Sequence, residues 1–425
     1  MDEREQAAKV KARALAALSS VPRGVRALVM PVLAALAFWL VLPAAYRVNE
    51  GSDFESFYRP VAYHLVTGQG FTVPGGWPAL RAPPGYPVLL AGVMVTSVVL
   101  HVPESISLSL LTLICVALSS LFLYVIAKDV WTDWKALLPS ALWSTYPLAL
   151  WLTKQPNTEV PFTTILFAIA LVIWRLTRSE KPRLGLTILL GVLAGAAMLV
   201  RPIAVLFPLV LAGLVMLLAT RWPRWTRLVA TVMVVAMSVI VIEPWQRYAE
   251  RATGHFVLLS TAGVPSIRDG LTFGVNTQKS YRRPIWVPGF IGTVMIDFYA
   301  QYEQLDSFGA IARAFGREVR VHPVGTAGLV GMKLLRAWYG TDSQRLDRYI
   351  FWLQIVYLGL LGWAGWRAWE PGAERRRLVL IAGVFIAYFW GMSVLALPLA
   401  RYMVPALGLA FLLVPAVLEP RETGV

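Results

Sequence analysis

The sequence predicts an all-α polytopic membrane protein with about ten transmembrane helices, and three observations carry that prediction. Apolar residue types make up 57% of the 425 residues and charged ones 15%, with a mean hydropathy of +0.61. Soluble domains run at about 45–50% apolar and about 25% charged, so this chain has too few charges to face water all round. Uncharged runs long enough to cross a bilayer, about 17–25 residues with their flanks, recur along most of its length. Lysine and arginine fall unevenly on the loops between those runs. A single cysteine, Cys115, excludes an intramolecular disulfide framework and a cysteine-based metal site.

The runs lie at 27–46, 105–127, 136–152, 160–174, 184–200, 202–220, 228–242, 349–366, 378–400 and 402–418. Residues 86–100 are similar in length to the shortest of these, but they follow Pro83-Pro84-Gly85 and precede His101. They are read as an interfacial or re-entrant helix, because counting them as a span inverts every later loop. With ten spans, the short loops on the amino-terminal side carry 20 Lys and Arg, and those opposite carry 6: Arg47, Arg59, Arg81, Lys154, Arg201 and Arg401. The positive-inside rule then places both termini in the cytoplasm. The net charge of +15 is therefore largely topological and implies no nucleic-acid partner. Residues 1–26 are a basic lead-in, and 27–46 is too long for the apolar region of a cleavable signal.

Residues 184–220 have basic flanks on both sides and so need an even number of crossings, with Arg201-Pro202 as the only punctuation. Proline is tolerated at a helix start, where its missing N–H has no intrahelical partner. The tight tip puts Arg201 near the outer surface, a place that suits a wet cavity walled by protein. Arg401, just after Pro398, repeats the arrangement.

The chain thus divides into residues 1–245, a transmembrane module whose first outer loop is 47–100; residues 246–348, an extracytoplasmic segment; and residues 349–425, carboxy-terminal helices. In the first loop, Ser52-Asp53-Phe54-Glu55 matches a capping box. Phe54, Phe57, Tyr58, Val61, Ala62 and Leu65 then form one apolar stripe opposite Glu55, Arg59 and Tyr63, as in a helix half-sunk in an interface. Pro60 is expected to bend or shorten that helix and Gly68 and Gly70 to end it. If Glu55 serves as the reciprocal cap, Asp53 is left to face a ligand, although it also suits the helix dipole. The second segment has a β-like run at 256–260. It also has an amphipathic stretch at 326–340, with Lys333 and Arg336 on one side and Val330, Leu334, Leu335 and Trp338 on the other.

Boundary charges at the outer ends of the spans are few: Asp53, Arg59, Arg81, Lys154, Glu159, Arg201, Glu243 and Arg401. Such groups are functional candidates by default. A carboxylate or two among several cations suits transfer of a sugar from a lipid phosphate. One carboxylate takes the proton of the acceptor hydroxyl, and fixed cations neutralise the departing phosphate. The transition state is oxocarbenium-like, and phosphate leaves without a general acid. The four histidines, His64, His101, His255 and His322, show no metal-ligand spacing, so a divalent metal is compatible with the chain but not indicated, and no other cofactor is implied.

Asp53-Phe54, Tyr58, Ala62, Leu65, Gly68-Gln69-Gly70-Phe71 and Arg81-Ala82-Pro83-Pro84-Gly85-Tyr86-Pro87 resemble the first outer loop of GT-C glycosyltransferases. The bacterial relatives of dolichyl-phosphate-mannose–protein mannosyltransferases are the nearest likeness. Thr158-Glu159, residues 191–202 (GVLAGAAMLVRP), Pro244-Trp245, residues 254–261, His322-Pro323 and Arg401-Tyr402 follow in the same order. The resemblance implies a GT-C fold in a bacterial plasma membrane, a polyprenyl-phosphate-linked sugar donor and an extracytoplasmic active site. It also implies Asp53 as the base, Glu159 as a second acidic contact, Tyr58 as a substrate contact, and Arg81, Lys154, Arg201 and Arg401 at the phosphate. The first loop has Asp-x-Glu, not two adjacent acids, which leaves lipid, glycan or protein hydroxyls open as acceptor. Two alternatives stand beside this reading. A lipid or glycan transporter would show inverted repeats and mid-membrane charges. An O-antigen ligase or polymerase would rely on late-loop residues such as Arg282 and His322.

Overall fold

The computed structural model describes residues 21–43, 46, 53–272, 287–342, 344–369 and 372–420. They form helices α1 (Arg23–Val41), α2 (Arg59–Val66), α3 (Gly85–Leu100), α4 (Glu104–Ala127), α5 (Leu138–Thr145), α6 (Pro147–Leu152) and α7 (Glu159–Arg178). Next come α8 (Leu184–Val200), α9 (Phe207–Leu218), α10 (Arg224–Thr253), α11 (Gly263–Thr272), α12 (Gly289–Ala300), α13 (Phe308–Val321) and α14 (Pro323–Arg336). The last three are α15 (Asp347–Trp369), α16 (Ala373–Leu395) and α17 (Ala400–Ala410), which continues as a 3-10 helix over Phe411–Leu418.

The protein is an all-α polytopic membrane protein. Seven helices among the described residues are long and apolar enough to span: α1, α4, α7, α10, α15, α16 and the continuous Ala400–Leu418. Helices α3, α8, α12 and the 202–218 stretch are apolar but shorter. Burial separates the inner spans from the outer ones. In the most apolar window, 72% of α7 and 78% of Ala400–Leu418 is buried, against 17% of α1 and of α15. The centre of the bundle is therefore α7 against Ala400–Leu418, with Phe162, Phe167, Phe207, Phe385, Phe389 and Phe411 interlocked around them.

Close helix approach depends on small residues. Gly191 and Gly195, one turn apart on α8, face α10 so closely that a Cβ would meet Val234 O at 2.7 Å and Val241 Cβ at 2.6 Å. This is the small-xxx-small device that draws membrane helices together. Gly408 on α17 stands in the same way against the Phe167 and Trp143 rings. Gly408→Ala is expected to cost about 1–3 kcal/mol through overpacking, read as a lower thermal midpoint in detergent with unchanged helix content.

Several elements differ from the sequence expectation, each for a physical reason. The run 136–152 is not one helix. Pro147 forces Tyr146 into an extended conformation (ψ 117°), and α5 ends there before α6 begins. The break carries no charge, and the Tyr146 hydroxyl fills it by donating to Gln354 Oε1 at 2.8 Å. The run 228–242 is the middle of the 30-residue α10, which continues past residue 246 and ends where Gly254 turns left-handed (φ +73°). Residues 256–260 form no strand, since no second strand lies beside them among the described residues. They are held between α10 and the first loop, with Trp245 Nε1 of α10 donating to Leu259 O at 2.8 Å and, just beyond them, Thr261 N to Leu80 O at 2.9 Å. Ser52, the expected cap, lies outside the described residues.

The stripe of the first-loop helix forms as expected: Phe54, Phe57, Val61 and Ala62 are buried, and Glu55, Arg59 and Tyr63 are exposed. Phe54–Tyr58 is a π-helical turn that passes directly into α2. The wider turn relieves the clash that the Pro60 ring would make with the carbonyl four residues back.

In α14 the side that bears the charges is the buried one. Lys333 and Arg336 are buried, and Leu335 is 67% exposed. Arg336 is held inward by an ion pair with Asp347 and by Thr341 O at 3.2 Å. Lys333 Nζ caps the end of α16, donating to Ala396 O at 3.0 Å and Leu395 O at 3.4 Å. Burial pushes the Lys333 ammonium down to about 7. Between about pH 7 and the ordinary lysine range the unfolded chain then binds one more proton than the folded one, so stability rises with pH in that window. Melting curves should show this slope in wild type and lose it in Lys333→Met.

Candidate active site

Loops that the sequence assigns to one side meet at one end of the bundle. Asp129 takes ion pairs from Arg178 (2.9 Å) and Arg175 (3.6 Å), Glu374 pairs with Arg178 (2.8 Å), and Glu419 pairs with Lys135 (2.7 Å) and Arg375 (3.6 Å). A second set of charges gathers elsewhere, from the first loop, the loop before α7, the α8 hairpin tip and the start of α17.

Glu159 opens α7 and is 6% exposed. Its Oε1 lies 3.0 Å from Arg201 Nη1 and 3.7 Å from Arg401 Nε, and Thr158 Oγ1 donates to its Oε2 at 3.2 Å. Local sequence explains the placement. Pro202 imposes an extended conformation on Arg201 (φ −143°, ψ 123°), which ends α8 and turns the side chain away from the helix. Arg401 follows the Leu397–Leu399 turn at the start of α17. The Tyr402 ring lies between the two guanidiniums, 5.0 Å from Arg201 and 5.3 Å from Arg401, and Arg201 also sits 5.8 Å from the Phe162 ring. Arg401 reaches further, to Asp342 at 3.2 Å.

Asp53 is not left free: it forms an ion pair with Arg81, and both side chains are more than half exposed. Arg81 lies 5.7 Å from the Phe57 ring, and its position follows from Leu80, whose carbonyl accepts from Thr261 N and, at 3.2 Å, from Thr261 Oγ1. Arg59 is used structurally, in a two-point pair with Glu104 at 2.9 and 3.0 Å that ties α2 to α4.

Tyr58 stands between the two charged groups. Burial pushes its phenol up to about 12; the Arg201 and Arg81 guanidiniums oppose that rise, and the Asp53 and Glu159 carboxylates add to it. The Tyr58 ring thus lies within electrostatic reach of both the Asp53–Arg81 pair and the Glu159–Arg201 pair. Tyr58 packs edge-on against Tyr86 (5.0 Å, 85°). Gly85, next to Tyr86, approaches the hairpin so closely that a Cβ would meet Leu199 O at 2.6 Å. Only glycine lets the first loop rest on the tip that bears Arg201.

Of the seven residues expected at the site, Glu159, Arg201 and Arg401 form one cluster, Asp53 and Arg81 form a pair, and Tyr58 lies near both. Lys154 is engaged elsewhere, donating to Tyr46 O at 3.3 Å and lying 4.4 Å from the Trp151 ring. Sequence reasoning passed over Tyr402 and Asp342. Tyr402 had a signal, its place beside Arg401 in a recurring dipeptide; Asp342 had none. Arg282 lies outside the described residues, and His322 lies with Asp297 and Glu318, whose pattern of E-x-x-x-H at 318–322 was also missed. An apolar cleft lined by Ala35, Val116, Trp143, Leu152, Val160 and Thr163 runs beside the first turn of α7.

Residues 82–248 match the family model of the dolichyl-phosphate-mannose-protein mannosyltransferases. Together with the all-helical membrane architecture, this match is consistent with a membrane glycosyltransferase of the GT-C superfamily. It covers less than half of the chain, and contains Glu159 and Arg201 but neither Asp53 nor Arg401. Comparison with curated proteins finds no match.

Proposed function

We propose that the protein transfers a sugar, with inversion, from a polyprenyl-phosphate carrier to a lipid, glycan or protein hydroxyl on the outer face of a bacterial plasma membrane, both termini being cytoplasmic. The observation that supports this most directly is the position of Tyr58 beside both the half-exposed Asp53–Arg81 pair and the Glu159–Arg201 pair, with Arg401 joined to the latter through Glu159.

The roles follow from accessibility. Asp53 is the carboxylate that an acceptor can reach, and it takes the hydroxyl proton as the new C–O bond forms. Glu159 is buried and occupied by two guanidiniums, so it anchors them and does not serve as the base. Arg81 and Arg401, both more open than Arg201, face the leaving phosphate and balance its growing charge. Tyr58 keeps its proton throughout the physiological range and is a fixed hydrogen-bond donor to phosphate or sugar. The apolar cleft beside α7 suits the first isoprene units of a carrier. Turnover of a polyprenyl-phosphate-sugar donor by Asp53→Asn tests the assignment, and wild-type turnover by that variant overturns it.

A further inference from the structure

Away from that site, Asp297 on α12, Glu318 on α13 and His322 at the junction of α13 and α14 bring one donor atom each to a common point. These atoms lie within 4.8 Å of one another. His322 Nε2 is 3.5 Å from Asp297 Oδ2. Glu318 is only 4% exposed, and its Oε2 is buried with no hydrogen-bond partner among the described residues. A buried carboxylate oxygen without a donor calls for one. We propose that these three residues bind a divalent transition-metal ion of the zinc class.

The geometry is close to what such an ion needs. Zn²⁺ takes N and O ligands at about 2.0–2.2 Å in a tetrahedron, which sets ligand–ligand edges at roughly 3.4 Å. The His322–Asp297 pair already stands near that spacing, and the third donor needs only a small side-chain adjustment. Imidazole with two carboxylates favours a transition metal; calcium and magnesium prefer all-oxygen shells with more ligands. Asp297 and His322 are half-exposed, which gives the ion a way in and leaves room for water as fourth ligand.

The backbone holds the donors in place independently of any metal. His322 closes α13, its N–H donating to Glu318 O at 2.7 Å, and opens α14, its carbonyl accepting from Thr326 N at 2.9 Å. Gly325 and Gly328 bring α14 tightly onto α12, where their Cβ atoms would meet Phe290 O and, at 2.9 Å, the Phe290 ring. That contact sets the two helices antiparallel, and so His322 faces Asp297. Beneath lies a small apolar cluster that includes Val294, Met295, Phe298, Ile311 and Leu329. With Cys115 as its one cysteine the chain has no disulfide to fasten this unit, and a metal clip across three helices would do so.

The test uses full-length protein in detergent, purified without a histidine tag, stripped with chelator and titrated with ZnCl₂. About one equivalent of zinc should survive desalting, and the thermal midpoint should rise and fall back on adding EDTA. His322→Ala and Glu318→Gln should weaken binding by about 100-fold or more, since loss even of outer-shell partners costs 10–100-fold. His255→Ala should bind as wild type does. Should His322→Ala fail to fold, the half-exposed Asp297→Asn provides the same reading. Absence of retained zinc in wild type, wild-type binding by the ligand variants, or displacement of zinc by equimolar CaCl₂ would each overturn the proposal.

Discussion

Asp53→Asn is expected to lower glycosyl transfer by about a hundred- to ten-thousand-fold, the range that a positioned general base contributes, while the protein keeps its fold. The two halves of this expectation come from one geometric fact. Asp53 and Arg81 are more than half exposed, and exposed pairs contribute only about 0–1 kcal/mol to stability. Asparagine keeps the size and one acceptor oxygen but cannot accept the hydroxyl proton. The measurement is a time course with a radiolabelled or fluorescent polyprenyl-phosphate sugar, alongside a melting curve of the same preparation. A loss confined to kcat, with donor KM little changed, fits the role of base. A large rise in donor KM would instead assign Asp53 to binding, through the orientation of Arg81.

Glu159→Ala should have the opposite profile: a large loss of stability, about 3–5 kcal/mol, with activity lost as a consequence. Glu159 is 6% exposed and carries both Arg201 and Arg401. Removing one partner of a buried pair leaves an uncompensated charge, and that desolvation penalty dominates. The two arginines are not equally stranded. Arg401 retains Asp342 at 3.2 Å, whereas Arg201 has no other acidic partner among the described residues. Arg201→Met should therefore recover much of the stability lost in Glu159→Ala, while Arg401→Met should recover little. Melting temperatures of the single and double variants check this. Equal recovery by both, or a wild-type midpoint for Glu159→Ala, would contradict the arrangement described here.

Element by element, what could be read locally was read well. Helices α4 and α8 begin within a residue of the apolar runs that predict them and end with them, because burial in lipid demands an uninterrupted apolar stretch. The first-loop stripe was legible because helical period alone decides which residues share a face. Other features depended on partners far along the chain. In α14, amphipathic spacing gives two faces but not which one is inside. Asp347, Thr341 and the end of α16 made the charged face the buried one. Arg201 could be placed at a hairpin tip from Arg201-Pro202, yet its link to Glu159 required knowing how α7 and α8 pack. Lys154 had the same local credentials as Arg81, and only the fold sent it to Trp151 and the Tyr46 carbonyl.

The sequence by itself determined the solvent this protein lives in, where most of its long apolar helices lie and the few charges near their ends, because each of these is set by segment composition over a window of about twenty residues. Only the tertiary structure decided that Tyr58 lies near both the Asp53–Arg81 pair and Glu159 with its arginines, and that Asp297, Glu318 and His322 converge elsewhere. Contacts between distant segments depend on helix packing and on the glycines that permit close approach, which no local window contains.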